Sequence, residues 1–242
     1  MTNLRKALLS VVVVASAATA AGGGTFASFS AETTNNSNVF STGTVELSDQ
    51  VNTGTTCYSY GAGVSNSTNS TGSDQQIITA ATAAKPGAVY TAHVTITNAG
   101  SLPLSDLKVW GTAACTDGNG ADTHITGTAS VCQNTEWYVQ ETDSSFATNQ
   151  ICQYGDDTVN HVCDLSGTSY PLSKFFGTAA GGHVGSTNGL LISNADNGTG
   201  TAETMAVGAS RYFVVGFTLP STADNTFQNR TASFALTWHG DQ

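Results

Sequence analysis

Basic residues are scarce in this chain of 242 residues, which holds 7 Lys and Arg against 17 Asp and Glu and has a formal net charge of −10. Proteins that follow nucleic-acid phosphates carry a basic surface, so this charge balance argues against nucleic acid as a partner. Proline is also rare, with 4 residues, whereas glycine is frequent, with 26. Hydrophobic residues make up 39 % of the chain, which is enough for a packed core and argues against a wholly disordered protein.

The motifs that mark common enzymes are missing as well. The sequence has no H-E-x-x-H zinc motif, no G-x-S-x-G nucleophile turn, no glycine-rich phosphate loop and no C-x-x-C pair. We therefore predict a protein that is not an enzyme, with no catalytic residues and no cofactor beyond a possible structural calcium ion.

The first 28 residues have the order of an export signal. Arg5 and Lys6 form a short basic region, residues 7–15 are apolar, and small residues follow at 21–24. A retained amphiphilic tail is the alternative. Neither this stretch nor any later one reaches the roughly 20 apolar residues of a membrane helix. We therefore predict a signal peptide over residues 1–28, and a mature chain that is acidic, without a membrane segment, and secreted or held at the cell surface.

Five cysteines fit an oxidising compartment, in which cysteines usually pair. Local pairing is the simplest arrangement, because Cys115 and Cys132 bracket a Gly- and Asp-rich segment and Cys152 and Cys163 bracket a second one. The sequence alone leaves the pairing open. Cys57 is the residue left over, and a buried thiol is favoured there over an intermolecular bridge.

Alternating apolar and polar residues predict many short strands. The clearest are residues 88–97 and 231–239, together with residues 211–219, which are apolar on both faces. One short helix is predicted over residues 171–176, because a proline stands near its start. The shorter strand candidates are residues 39–47, 77–80, 107–114, 136–141, 189–193 and 203–207.

Strands joined by Gly-, Asn- and Ser-rich turns are typical of a sandwich or jelly roll. Residues 61–73, 117–130 and 177–187 are polar and are predicted to be surface loops. The fold prediction is therefore all-β: a jelly-roll-like antiparallel β-sandwich with few short helices, formed as a single domain by residues 29–242.

Short sequence motifs are the only indications of metal or glycan sites in this chain. Asp117, Asn119 and Asp122 offer the oxygen ligands of a calcium loop without EF-hand spacing, and residues 194–198 are similar. Turn chemistry alone also explains such residues. The five histidines are scattered, and an exposed position is favoured over a shared metal for His93 and His239; the other three are His124, His161 and His183. Sequons for N-glycosylation begin at Asn35, Asn66, Asn69, Asn197 and Asn229.

Two blocks near the amino terminus resemble a known family. Residues 22–30 read GGGTFASFS and residues 38–48 read NVFSTGTVELS. Further matches are KPG at 85–87, NAGSL at 98–102, GASRYF at 208–213, LP at 219–220 and NTFQN at 225–229. In this order the segments are similar to the TasA/camelysin family of secreted biofilm-matrix fibre proteins, which carry signal peptides of the SipW type.

The resemblance implies a jelly-roll fold, export, and cleavage between Ser28 and Phe29 by a dedicated signal peptidase. It also implies extracellular fibres of a matrix or cell surface, in which an extended amino-terminal segment adds a strand to the next subunit's sheet. Residues 29–47 match that donor strand. Its expected side-chain anchors are Phe29, Val39, Phe40, Val45 and Leu47. The implied partners are other copies of the chain in a head-to-tail homopolymer and accessory or anchoring matrix proteins.

The chain departs from the family pattern in its five cysteines and in the long segment 117–168. Two other functions therefore stay open. Camelysin-type relatives are described as cleaving casein, which would imply a secreted metallopeptidase, although the zinc motif is missing. A monomeric surface adhesin or glycan-binding module would need an aromatic platform, although core packing is the favoured role of its candidates. These candidates are Tyr58, Tyr60, Trp110, Trp137 and Tyr138.

Overall fold

A computed structural model describes residues 43–59, 77, 84–120, 122, 127–157, 161–165 and 169–242. Gly43–Gln242 form one compact unit. The predicted signal peptide, residues 29–42 of the predicted domain and the predicted loop 61–73 lie outside the described residues.

Short strands dominate the described part of the chain. The strands are β1 (Leu47–Val51), β2 (Cys57–Tyr58), β3 (Val89–Asn98), β4 (Asp106–Gly111), β5 (Thr116–Asn119), β6 (Glu136–Thr142), β7 (Ile151–Tyr154), β8 (Asp156–Asp157), β9 (Cys163–Asp164), β10 (Leu190–Leu191), β11 (Ser210–Thr218), β12 (Arg230–Ser233) and β13 (Leu236–Asp241). The α-helices are α1 (Val131–Asn134) and α2 (Leu172–Phe175), and 3₁₀ turns lie at Ser186–Asn188, Asp196–Gly198 and Asn225–Phe227.

The strands form two main antiparallel sheets that pack together. The large sheet has the order β2-β1-β3-β11-β6-β7, and the small sheet has the order β10-β4-β13. Two-stranded ladders join β12 to β5 and β8 to β9. One hydrophobic core takes side chains from both main sheets. The prediction of an all-β antiparallel sandwich is therefore confirmed, whereas the jelly-roll connectivity stays a prediction.

The centre of the large sheet follows directly from the sequence pattern. In β3 the alternating residues Ala92, Val94 and Ile96 are buried in the core. In β11 every residue from Phe213 to Thr218 is buried, as expected for a strand that is apolar on both faces. The outer face of β11 is covered because Val214 packs into a second, smaller cluster with Tyr138, Cys152 and Cys163.

The prediction of one strand over residues 231–239 is wrong. The chain breaks between β12 and β13, which belong to different ladders: β12 pairs with β5 and β13 pairs with β4. Phe234 lies at the break, with its ring centroid 5.4 Å from Trp137 and 4.6 Å from Phe176. Alternation is therefore kept through the break while the hydrogen-bonding partner changes.

Three other boundaries also differ from the predictions. Of the strand predicted over 39–47, residues 39–42 lie outside the described residues, residues 43–46 form no strand, and β1 begins at Leu47 and continues to Val51. Residues 203–207 form no strand, although Met205 makes an isolated bridge with Leu104. The predicted loop 117–130 begins within β5, which is held to β12. In contrast, β6 and α2 lie where the pattern predicted them, with Pro171 as the N-cap of α2.

The disulfides join Cys115 to Cys132 and Cys152 to Cys163, the local pairs that the spacing favours. Cys57 is buried and belongs to neither disulfide. Disulfides that close surface segments are typical of proteins in an oxidising compartment.

Asn98 ties together one end of the sandwich. Its side chain is fully buried, donates to the carbonyls of Leu102 (2.9 Å) and Met205 (3.1 Å), and accepts from the Gly100 N–H (3.1 Å). Its own carbonyl accepts from Gly208. The backbone and side chain of Asn98, the first residue of the NAGSL match, therefore hold the turn after β3 to the segment before β11.

We expect Asn98→Ala to lower the free energy of unfolding by about 2–3 kcal/mol, because buried backbone groups lose their partners and a cavity is left. Urea denaturation measures the change. The matched control is Asn188→Ala, which removes one exposed side-chain hydrogen bond and should cost less than about 0.5 kcal/mol. Equal effects of the two substitutions would contradict this role of Asn98.

Candidate functional site

The strongest candidate site is the outer edge of β13. Within the part of the chain that the structure describes, β13 pairs with β4 on one side and with no strand on the other. The carbonyls of Ala235 and Asp241 face β4, because they accept from Thr112 and Ser105. Backbone groups alternate in direction along an antiparallel strand. The N–H and C=O groups of Leu236, Trp238 and Gly240 therefore point outward; we call this row the open edge.

Core side chains reach this edge. Leu236 and Trp238 are half-buried and pack against the main core, as does Phe234 just before the strand. The Trp238 ring lies 4.6 Å from that of Phe213 in the opposite sheet. The sandwich is thus incompletely covered where the small sheet ends, and a further strand laid on β13 would bury these side chains more fully.

Two other sheet edges are protected by their own chain. At β7 the Cys152 N–H donates to the carboxylate of Asp196 at 2.8 Å. At β10 the sheet is extended by the chain that follows: the Glu203 N–H donates to the Ile192 carbonyl, and Ser193 forms a bridge with Ala202. The contrast with β13 is informative, because natural sheets usually cover or charge their edges.

Ion pairs hold the last residues of β13 to β4. Lys108 Nζ lies 2.8 Å from Asp241 and 3.1 Å from Asp106, and His239 Nε2 lies 2.8 Å from the other Asp241 oxygen. The hydrogen bonds from Lys108 and His239 lower the pKa of Asp241, and that to Asp241 raises the pKa of Lys108. These side chains lie on the outer face of the small sheet, so they fix β13 without closing its edge.

The root of the amino-terminal segment lies along the turn after β3. The Thr44 carbonyl accepts from Ser101, and the Glu46 carbonyl accepts from Ala99 and Gly100. Val45 is 40 % exposed. Leu47 is different, because it opens β1 and is buried in the core of its own chain opposite Asn98. Of the expected anchors, Leu47 is therefore a core residue here; Phe29, Val39 and Phe40 lie outside the described residues, as does Ser28.

The calcium candidates use their oxygens within the chain. The Asp117 carboxylate accepts from the Ser130 hydroxyl (2.5 Å) and the Cys132 N–H (3.0 Å). Burial opposes its ionisation, but these hydrogen bonds outweigh that effect and lower the pKa of Asp117. Asn119 accepts from the Arg230 guanidinium, a positive charge that disfavours a cation. Asp122 contacts the Asn229 side chain through its backbone.

The other calcium-loop candidate, residues 194–198, also uses polar groups for hydrogen bonds within the chain, and the histidines do not gather at one place. Asp196 contacts both Cys152 and His161, and the Asn194 side chain accepts from the Thr201 N–H. His93 and His239 are exposed, as expected, and lie in different sheets. Among the described residues, no cluster of three or more His, Cys, Asp or Glu side chains is arranged to hold a metal ion.

The aromatic candidates do not gather into an exposed platform. Trp137 is fully buried in the main core, Tyr138 is buried on the opposite face of the same strand, and Trp110 is buried in the small sheet. Tyr58 is 43 % exposed, and Tyr60 lies outside the described residues. Trp137 and Tyr138 therefore pack in the two hydrophobic clusters, whereas Trp110 lies outside both and its ring contacts that of His239 on the outer face of the small sheet.

Sequence reasoning found the apolar face of β13 but missed the open edge. Alternation marks Leu236 and Trp238 as core residues, yet it carries no information on how many neighbours a strand has. The chain break at residues 234–235, which leaves β13 as the last strand of a small sheet, has no local signal.

No helix in the described ranges is long and apolar enough to cross a membrane. No family model and no curated protein matches the sequence. The resemblance to the TasA/camelysin family therefore stays a prediction.

Asp49 makes the stability of β1, which continues from the amino-terminal root, dependent on pH. One of its carboxylate oxygens is buried without a hydrogen-bond partner, and burial raises the pKa to about 6 from 3.8. The folded state therefore holds this proton more tightly than the unfolded state does. Its contribution is most favourable below about pH 4 and is lost as the pH rises through 6.

We expect the Tm difference between Asp49→Asn and the wild type to grow in favour of the variant from pH 4 to pH 7, because the amide carries no buried charge. Thermal denaturation across this range measures it. Parallel Tm profiles of the two proteins would contradict the assignment.

Proposed function

We propose that the chain is an exported structural subunit that assembles into extracellular fibres of a biofilm matrix or cell surface. Residues 29–42 of one copy, the donor segment, add a strand to the open edge of the next copy. The observation that carries the proposal is that edge, with its outward backbone groups at Leu236, Trp238 and Gly240. An added strand would satisfy these groups and cover the half-buried side chains beside them.

The length and position of the donor segment support this arrangement. Fourteen extended residues span about 46 Å, whereas the six residues of β13 span about 20 Å. The segment can therefore cross between subunits and still cover the whole edge. Because Leu47 belongs to its own core, the donated strand ends before β1, and Phe29, Val39 and Phe40 are the anchors that remain.

The two disulfides support export, since they are stable in oxidising compartments. A contact between an amino-terminal segment and a distant edge is heterologous, so it propagates into a filament instead of closing a dimer. The predicted signal peptide and the absence of enzyme motifs agree with a structural role.

Deletion of residues 29–41 is expected to abolish assembly of the mature chain 29–242 while the compact unit stays folded. The deletion removes the donor and leaves Gly43–Gln242 intact. Negative-stain electron microscopy of concentrated protein measures assembly, and circular dichroism measures folding. Filaments from the deletion variant, or a wild type that stays monomeric, would contradict the proposal.

A substitution at the acceptor tests the other side of the contact. Leu236→Pro removes one outward N–H at the first residue of an edge strand, where proline is tolerated. Losing one hydrogen bond is expected to raise the critical concentration for assembly about tenfold. Leu236→Ala is the matched control, because it loses the same side-chain packing but keeps the N–H. Equal critical concentrations for the two variants would show that the open edge accepts no strand.

A further inference from the structure

Exposed apolar side chains concentrate at the two ends of the sandwich. The exit end comprises residues 43–46 and the turns 98–102 and 206–209, where Val45 and Val207 are 40 % and 53 % exposed. The entry end comprises residues 85–89 and 219–223, where Val89 is 58 % exposed. Among the described residues, only one other large hydrophobic side chain is comparably exposed, that of Tyr58.

These residues lie in line with one long strand. The exit-end turns meet at Asn98, the last residue of β3. The Gly208 N–H donates to the Asn98 carbonyl, and the Glu46 carbonyl accepts from the two residues that follow Asn98. Val89 is the first residue of β3. A copy displaced along the β3 axis would therefore bring its exit end onto the entry end of the copy below.

Side chains of opposite charge without an ion pair lie at the two ends, Lys85 at the entry end and Glu46 at the exit end, and the exposed Asp224 follows the entry end. Lys85 at the entry end is exposed and has no ion pair within the described chain, whereas Lys108 and Arg211 are paired with acidic residues. Glu46 at the exit end is half-exposed and likewise has no ion pair there. In a mature chain with few basic residues, a free lysine at one pole opposite a free glutamate at the other favours stacking of ends.

We propose that the exit end of one copy packs directly on the entry end of the next, with Val45 and Val207 near Val89 and Glu46 near Lys85. This inference rests on the proposed function and adds a second contact between the same two copies. The apolar side chains bury one another, and the charge pair selects the polarity of the stack.

The stack fixes the direction of the donated strand. Gly43 lies against Leu102 at the exit end, and Asp241 lies at the same end because it opposes Asp106. Leu236 lies at the entry end. A donor that leaves one copy and meets the next at its entry end passes Leu236 first and runs antiparallel to β13. A segment folded back on its own β13 would run parallel to it.

Charge reversal tests the end contact. Lys85→Glu and Glu46→Lys are each expected to raise the critical concentration of the mature chain about tenfold, because like charges then face each other. The double variant is expected to return to within about threefold of the wild type. Thr91→Glu, on an exposed lateral position of β3, is the control for added charge and is expected to assemble normally. Circular dichroism verifies that each monomer is folded.

The outcomes separate this inference from the proposed function. Rescue by the double variant supports end-to-end stacking. Normal assembly of both single variants, or two weakened single variants without rescue, overturns the stacking while strand donation stands. A wild type without filaments overturns both.

The strand direction has its own measurement. Under mild oxidation, filaments of the Thr42→Cys/Thr237→Cys variant are expected to give a ladder of covalent multimers, because the donor enters beside the start of β13. The parent chain, which has Cys57 alone outside the disulfides, is the control. Intact filaments without a ladder overturn the antiparallel direction.

Discussion

The outer edge of β13, which pairs with no strand among the described residues, is the constraint on which the proposed assembly depends. A row of outward backbone groups at Leu236, Trp238 and Gly240 is costly to bury without partners, and the half-buried side chains next to it leave the core incomplete. A second chain that supplies a strand removes both costs together. Water can satisfy the backbone groups in a monomer, but it cannot cover the apolar side chains.

The rest of the molecule keeps this edge available and in position. The Lys108–Asp241 ion pair holds β13 to β4 from the outer face, and His239 contacts Asp241 within β13, while the other side of the strand pairs with no strand among the described residues. Asn98 fixes the turn to which Thr44 and Glu46 are hydrogen-bonded. The disulfides brace the segments between β5 and α1 and beside β7, where the chain covers its own sheet. Residues 44–46 and β13, the proposed donor root and acceptor, are thus both held to the sandwich by hydrogen bonds.

Local patterns were sufficient for the centre of the fold but not for its edges. Alternation located β3, and continuous apolar sequence located β11, because burial on one or both faces leaves a direct trace in residue type. The same alternation wrongly predicted one continuous strand across β12 and β13. Phe234 keeps the apolar period at the break, although the strand that each segment pairs with changes there. The open edge had no signal at all, because strand neighbours are set by tertiary pairing.

Hydrogen exchange of the backbone amides tests the central claim most directly. The amides of the half-buried residues Leu236 and Trp238 point outward in the monomer and are expected to exchange fast, whereas Gly240 is already buried. Their neighbours Thr237 and His239 face β4 and are protected throughout. On assembly of the mature chain, strong new protection is predicted for the Leu236 and Trp238 amides. Filaments in which these amides exchange as fast as in the monomer would contradict strand donation to β13.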